Sequence, residues 1–174
     1  MWIKFNLDGM IFELEIKNYM PVQAMNDSWV DVSYCFNFKN AIQCFSNNNE
    51  ILLNWEVDEI RNYTEKLLND QLDKTVNLEC IEPDLNFIFK PKYDLRNDPN
   101  HLCINPGYEI EDIKIEIRVN LWCGVPTANY FSTTMYRDNI ELFYLYLSLV
   151  TKKISIDDIK VKKLLETGII YGDI

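Results

Sequence analysis

The side chains able to do chemistry in this chain are many, but their spacing defines no reaction centre. There is one histidine, His101, and the nearest thiol is Cys103, two residues on. A zinc site needs about four ligands, typically in closely spaced pairs. Neither His101 nor the five cysteines (Cys35, Cys44, Cys80, Cys103, Cys123) show that pattern. The five glycines (Gly9, Gly107, Gly124, Gly168, Gly172) compose no phosphate-cradling loop and no nucleophile elbow. Adjacent carboxylates such as Asp157-Asp158 are expected in any acidic chain. They specify no hydrolysis without a defined separation in space. The motifs therefore predict no cofactor, no metal and no enzyme. Cys35 and Cys44 are expected to be neighbours across one hairpin, as two small buried thiols.

Charge is the stronger signal. The net charge is −10, and residues 55–91 hold nine acids against four bases. Such a balance repels nucleic acid and anionic lipid and attracts basic partners, although it also serves solubility. The candidate partner-binding residues are Glu56, Asp58, Glu59, Glu65 and Asp70, all within one predicted helix. A second candidate is Asp94, Asp98 and His101, in the stretch 91–111 with Pro91, Pro99, Pro106 and Gly107. Irregular connections of that length are uncommon in compact domains and often hold binding sites or lids.

The elements that must position these residues are legible from periodicity. Ile113, Ile115, Ile117, Val119 and Leu121 alternate with Lys114, Glu116, Arg118 and Asn120. That is a half-buried antiparallel strand, with one face on a core. Residues 2–16 read as a hairpin turning at Asp8-Gly9, with Ile3, Phe5 and Leu7 opposite Leu14, Phe12 and Met10, and Lys4 opposite Glu13. Strands follow over Val30–Phe38, Ala41–Ser46 and Ile51–Leu53, then over Thr75–Ile81, Leu85–Lys90 and Tyr130–Tyr136.

Between them the period becomes helical from Trp55, with Asn54 as N-cap and Val57, Ile60, Thr64, Leu67, Leu68 and Gln71 on one stripe. Asp138-Asn139-Ile140-Glu141 reads as a capping box opening a largely buried helix to about Lys153. A short helix from Ser155 to Thr167, ended by Gly168, closes the pattern. The fold class is α+β: a largely antiparallel sheet of about seven to nine strands, two main helices and a short C-terminal one. Residues 1–153 are expected to form a single domain, with 154–174 as a helical extension packed on it.

The cysteines suit a reducing cytoplasm, and Met1 runs straight into a strand, so no leader peptide is expected. The longest apolar run, Leu142 to Val150, is well short of the ~20 residues a membrane span needs.

The order of elements resembles the WapI-type bacterial immunity proteins over residues 2–153. Three features carry the resemblance: Asp27-Ser28-Trp29-Val30-Asp31-Val32 followed by a second strand and a Glu-rich helix start; Asn129-Tyr130-Phe131 leading through a strand to Asp138; and the apolar helix core Leu142-Phe143-Tyr144-Leu145-Tyr146-Leu147. The stretch 91–111 and the tail after Lys153 depart from it. The resemblance implies a non-enzymatic cytoplasmic antidote that binds and blocks a toxin domain, often a nuclease, whose basic cleft an acidic protein would meet quickly. Two other readings are a small-ligand or enzymatic module using the 91–111 loop, and a structural subunit that docks through an exposed apolar patch.

Overall fold

A computed structural model describes residues 1–7, 9–22, 27–39, 42–101, 103–122 and 126–172, with the backbone alone at Ile42, Asn48, Trp122 and Pro126. In chain order the elements are β1 (Trp2–Leu7), β2 (Met10–Lys17), β3 (Trp29–Phe38), β4 (Ile42–Leu53), α1 (Asn54–Leu68), β5 (Val76–Glu79), β6 (Leu85–Lys90), β7 (Tyr93–Asp94), β8 (Ile110–Glu111), β9 (Lys114–Trp122), β10 (Pro126–Met135), α2 (Arg137–Val150), α3 (Ile159–Glu166) and β11 (Ile170–Tyr171). The strands form two main antiparallel sheets, β11-β1-β2-β3-β4 and β10-β9-β6-β5, with β7-β8 as a separate ladder. The α+β class is as expected, but the strands divide between two sheets where one was predicted.

The N-terminal hairpin has the expected register, with Leu7 opposite Met10, Phe5 opposite Phe12, Ile3 opposite Leu14 and Lys4 opposite Glu13. Gly9 takes φ +91°, where an L side chain would be strained, while Asp8 of the expected turn lies outside the described residues. From Ile113 through β9 the alternation holds: Ile113, Ile115, Ile117 and Val119 are buried, and Leu121 alone of the five reaches solvent. Its outward residues cross-link, because Glu116 accepts from Lys90, Arg118 and Ser132 at 2.8, 2.7 and 2.9 Å.

Both sheets face one core, and α2 joins them there. Phe143 lies edge-on to Phe5 of the first sheet and stacks with Phe87 of the second. Tyr146 is fully buried, and its hydroxyl accepts from the Ile16 N–H (2.8 Å) and donates to the Met1 carbonyl (3.0 Å). A tyrosine this deep is tolerated because its one polar atom has partners.

The predicted capping box is corrected. The helix starts at Arg137 after Tyr136, so Asp138 and Glu141 sit within its first turns and make no box. Arg137 instead donates to both Asp112 oxygens at 2.9 and 2.7 Å, tying the helix start to the approach to β9. The tail also differs. After α3, whose N-cap Asp158 accepts from the Lys160 N–H at 2.8 Å, the chain passes Gly168 (φ +69°) and adds β11 to the edge of β1. Val161 and Ile170 are buried in the same core as the first 153 residues.

Candidate functional site

The acids of α1 do not share one solvated face. Glu56 is fully buried, which corrects its expected place on a partner-binding surface. One oxygen accepts from the Leu53 N–H and the other from the Ile81 N–H, both at 2.7 Å. Leu53 is the N-cap residue, so the carboxylate closes the helix start and at the same time holds the turn between β5 and β6. Burial pushes its pKa up, the two backbone N–H groups work against that, and the nearby Glu59 and Glu82 add to it. Asn54, the expected cap, is buried at the first helical position. Its side-chain oxygen accepts from the Trp55 N–H (2.9 Å) and its amide donates to the Met20 carbonyl (3.3 Å), which fastens the β2–β3 connection to the helix.

The other predicted acids separate into two groups. Asp58 accepts from the Tyr19 hydroxyl at 2.8 Å, and Glu59 is half-buried beside Glu56. Both lie at the N-terminal end of α1, where the positive end of the helix dipole favours them. Glu65 and Asp70 lie at the far end, each with a cation. Glu65 meets Arg61 at 3.4 Å and accepts from the Tyr144 hydroxyl at 2.8 Å, and Asp70 pairs with Lys92 at 2.9 Å.

What the helix numbering alone missed is the β5–β6 turn. Glu56 brings Ile81 and Glu82 to the start of α1, and Ile81 is 59% exposed although its backbone is pinned. Glu79 is exposed one pleat away, and Glu82 is half-buried. No lysine or arginine occurs within 50–60 or 75–89, the two segments that meet here. That paired absence of bases was the legible signal, and it points to this end of the molecule. Buried Cys80 lies below it, its thiol pushed up by burial and by Glu56 and Glu59.

The loop candidates are placed differently. Asp94 accepts from its own turn, from the Arg96 N–H (3.0 Å) and from the Arg96 guanidinium (2.8 and 2.6 Å). Asp98 pairs with His101 Nδ1 at 2.9 Å and accepts from the Asn100 N–H at 2.9 Å. Asp98 and His101 are thus brought together by a local turn, while Asp94 belongs to another. The β7-β8 ladder closes the loop's neck, and none of its described residues is buried. Among the described residues, no group of three or more His, Cys, Asp or Glu is arranged to hold a metal ion, and no helix is long and apolar enough to cross a membrane. Cys35 and Cys44 are diagonal across β3 and β4, where Cys35 faces Phe45 and Phe36 faces Cys44. The two thiols therefore point to opposite faces of the sheet.

The described residues thus form a two-sheet α+β scaffold with an acidic end where the start of α1 meets the β5–β6 turn. Residues 3–153 match the model of the Immunity protein WapI-like family, and the chain belongs to that family. Among curated proteins, none matches the chain. The family carries a toxin-immunity role, and the match ends before α3 and β11.

Proposed function

We propose that this protein neutralises a basic toxin domain, of nuclease type, by binding it in the cytoplasm without chemistry of its own. The binding face is the acidic end formed by the start of α1 and the β5–β6 turn: Asp58, Glu59, Glu79 and Glu82 around Ile81. The observation that carries this reading is the Glu56 carboxylate, which joins those two segments and so gathers their acids around an exposed apolar side chain. An apolar anchor inside a charged rim is the usual anatomy of a tight interface. The acidic rim would steer a basic partner into encounter, and Ile81 would supply desolvated contact.

The immunity role of the family supports the partner class, and the absence of lysine and arginine from residues 50–60 and 75–89 supports its charge. Glu65 and Asp70, each held by a cation of this chain, stand outside the face. The test is co-purification with the product of the adjacent toxin gene, at low and at high salt, beside a Glu59→Lys/Glu82→Lys variant. Capture that weakens with salt and is lost in the variant is the expected result. Undiminished capture by the variant would sink the assignment of the face, and failure of the wild type to protect cells from that toxin would sink the function.

A further inference from the structure

Two exposed apolar side chains flank the start of α1, and each stands on a backbone held by a buried residue of the helix's first turn. On one side Glu56 accepts from the Ile81 N–H. On the other, Asn54, two residues earlier, donates to the Met20 carbonyl at 3.3 Å, and the Met20 side chain is 58% exposed. The approach to Met20 is fixed at two further points. Asn18, in the left-handed region at φ 58°, donates to Asp31 at 2.5 Å as the chain leaves β2. Buried Tyr19 donates to Asp58 at 2.8 Å. Val22 is exposed two residues on, and the Ser28 carbonyl, accepting from the Asn54 N–H at 2.9 Å, brings exposed Trp29 to the same helix start.

Apolar side chains left in water contribute nothing to the fold, which gains by burying them. Where the backbone beneath them is already fixed, little ordering remains to be done on binding, and the surface is preorganised for a partner.

Two observations select the occupant. The Tyr19–Asp58 bond makes this segment continuous with the acidic end, because Asp58 belongs to both. Residues 18–38, like 50–60, hold no lysine or arginine. Of the bases that flank these segments, Lys17 pairs with Glu15 at 2.8 Å, Arg61 pairs with Glu65 at 3.4 Å, and Lys39 lies at the other end of β3 beside Gly9. Among the described residues no cation pairs with Asp58, Glu59 or Glu82. A second copy would set these acids against one another, whereas a basic protein would neutralise them.

We infer that Met20 and Val22 are a second apolar anchor of the toxin-binding face, so that the partner straddles the start of α1 and buries apolar side chains on both sides of it. The inference rests on the immunity reading of the acidic end and adds the partner's chemistry: a folded basic domain that presents apolar contacts beside its cations.

The test is the kinetics of binding to the product of the adjacent toxin gene. Wild type is compared with Met20→Ser/Val22→Ser, with a Phe45→Ser control on β4, and with Glu59→Lys/Glu82→Lys. Rim charges act mainly on encounter, and desolvated anchors on dissociation. Met20→Ser/Val22→Ser should raise the dissociation rate about tenfold or more while the association rate stays within about twofold, and Phe45→Ser should change neither. Poly-lysine, which offers charge with no apolar patch, should bind wild type and the serine variant alike. An unchanged dissociation rate, an equal rise in Phe45→Ser, or protection of the Tyr19, Met20 and Val22 amides that grows with protein concentration before toxin is added would each overturn the inference. Loss of the toxin by the lysine variant with no effect of the serine variant would leave the acidic face standing and remove the second anchor. A wild type that never binds the toxin would remove the face as a whole.

Discussion

The start of α1 and the 91–111 loop both present acids next to groups that could use them, and they differ in what those acids are bonded to. At the helix start one carboxylate is buried and spends both oxygens on backbone N–H groups of two distant segments. Its neighbours are thereby fixed on a rigid base. In the loop, Asp94 and Asp98 accept from residues two and three positions on, so their oxygens are consumed by the turns that carry them. The first arrangement preorganises a surface, and the second only stabilises a loop. A carboxylate near a candidate partner is informative only after its local bonds are counted.

The largest expected effect comes from removing the joint. Glu56→Ala leaves the buried Leu53 N–H and the part-buried Ile81 N–H without their acceptor and should destabilise the fold by about 2–4 kcal/mol, read in urea melts, and loosen the β5–β6 turn. Glu56→Gln keeps one acceptor and should cost less. Its pH dependence carries the sign of the shift: because the carboxyl is raised, wild-type stability from this group is greatest below its unfolded value near 4.5 and falls as the pH climbs through the folded value. The melting-temperature gap between Glu56→Gln and wild type should therefore narrow from pH 4.5 to 7. A gap that widened would remove the burial argument.

Next in size is the acid limb of stability. Asp112, held down by Arg137, and Glu116, held down by Lys90, Arg118 and Ser132 against the opposing effect of burial, both lie at about 2. Depressed carboxyls stabilise the fold above their unfolded values, 3.8 and 4.5, and that stability is lost as the pH falls toward 2. Glu116→Gln should flatten the loss between pH 4.5 and 2 in a thermal-melt series.

Smaller again is the loop. Asp98→Asn with His101→Ala should change stability by under about 0.5 kcal/mol and leave cell protection intact, since exposed pairs contribute little. Loss of protection in that double variant would move the site from the helix to the loop and reverse the comparison.

Much of the scaffold was readable before the structure. β9 and the first hairpin were legible because their alternation and turn chemistry agree, so only one register buries Ile3, Phe5 and Phe12 together. The stripe of α1 followed from its period at Val57, Ile60, Thr64 and Leu67, whereas Leu68 is only partly buried and Gln71 is exposed beyond the end of the helix. The role of Glu56 was not legible, since its partner Ile81 is distant in the chain and nothing local marks that pairing. The start of α2 was misread because Asp138 and Glu141 satisfy a box pattern, whereas Tyr136 and the Arg137–Asp112 pair set the true boundary. β11 and the β7-β8 ladder have too few residues to show a period, and only a partner strand defines them. The division of the strands into two sheets was equally hidden, because alternation states which residues face inward and not which sheet they join.

The placement of β11 beside β1 has a kinetic side. Ile3 lies in the chain's first strand, and its outer neighbour Ile170 emerges from synthesis only after β1 to β10 and α1 to α3 have been made. Tyr146 enforces a similar delay from inside, because the hydroxyl that joins Met1 to Ile16 belongs to α2. The β1-β2 hairpin therefore waits, half-finished, until α2, α3 and β11 have been made. Folding should end in one late, slow closure governed by long-range contacts, and not in stepwise growth from the first strand.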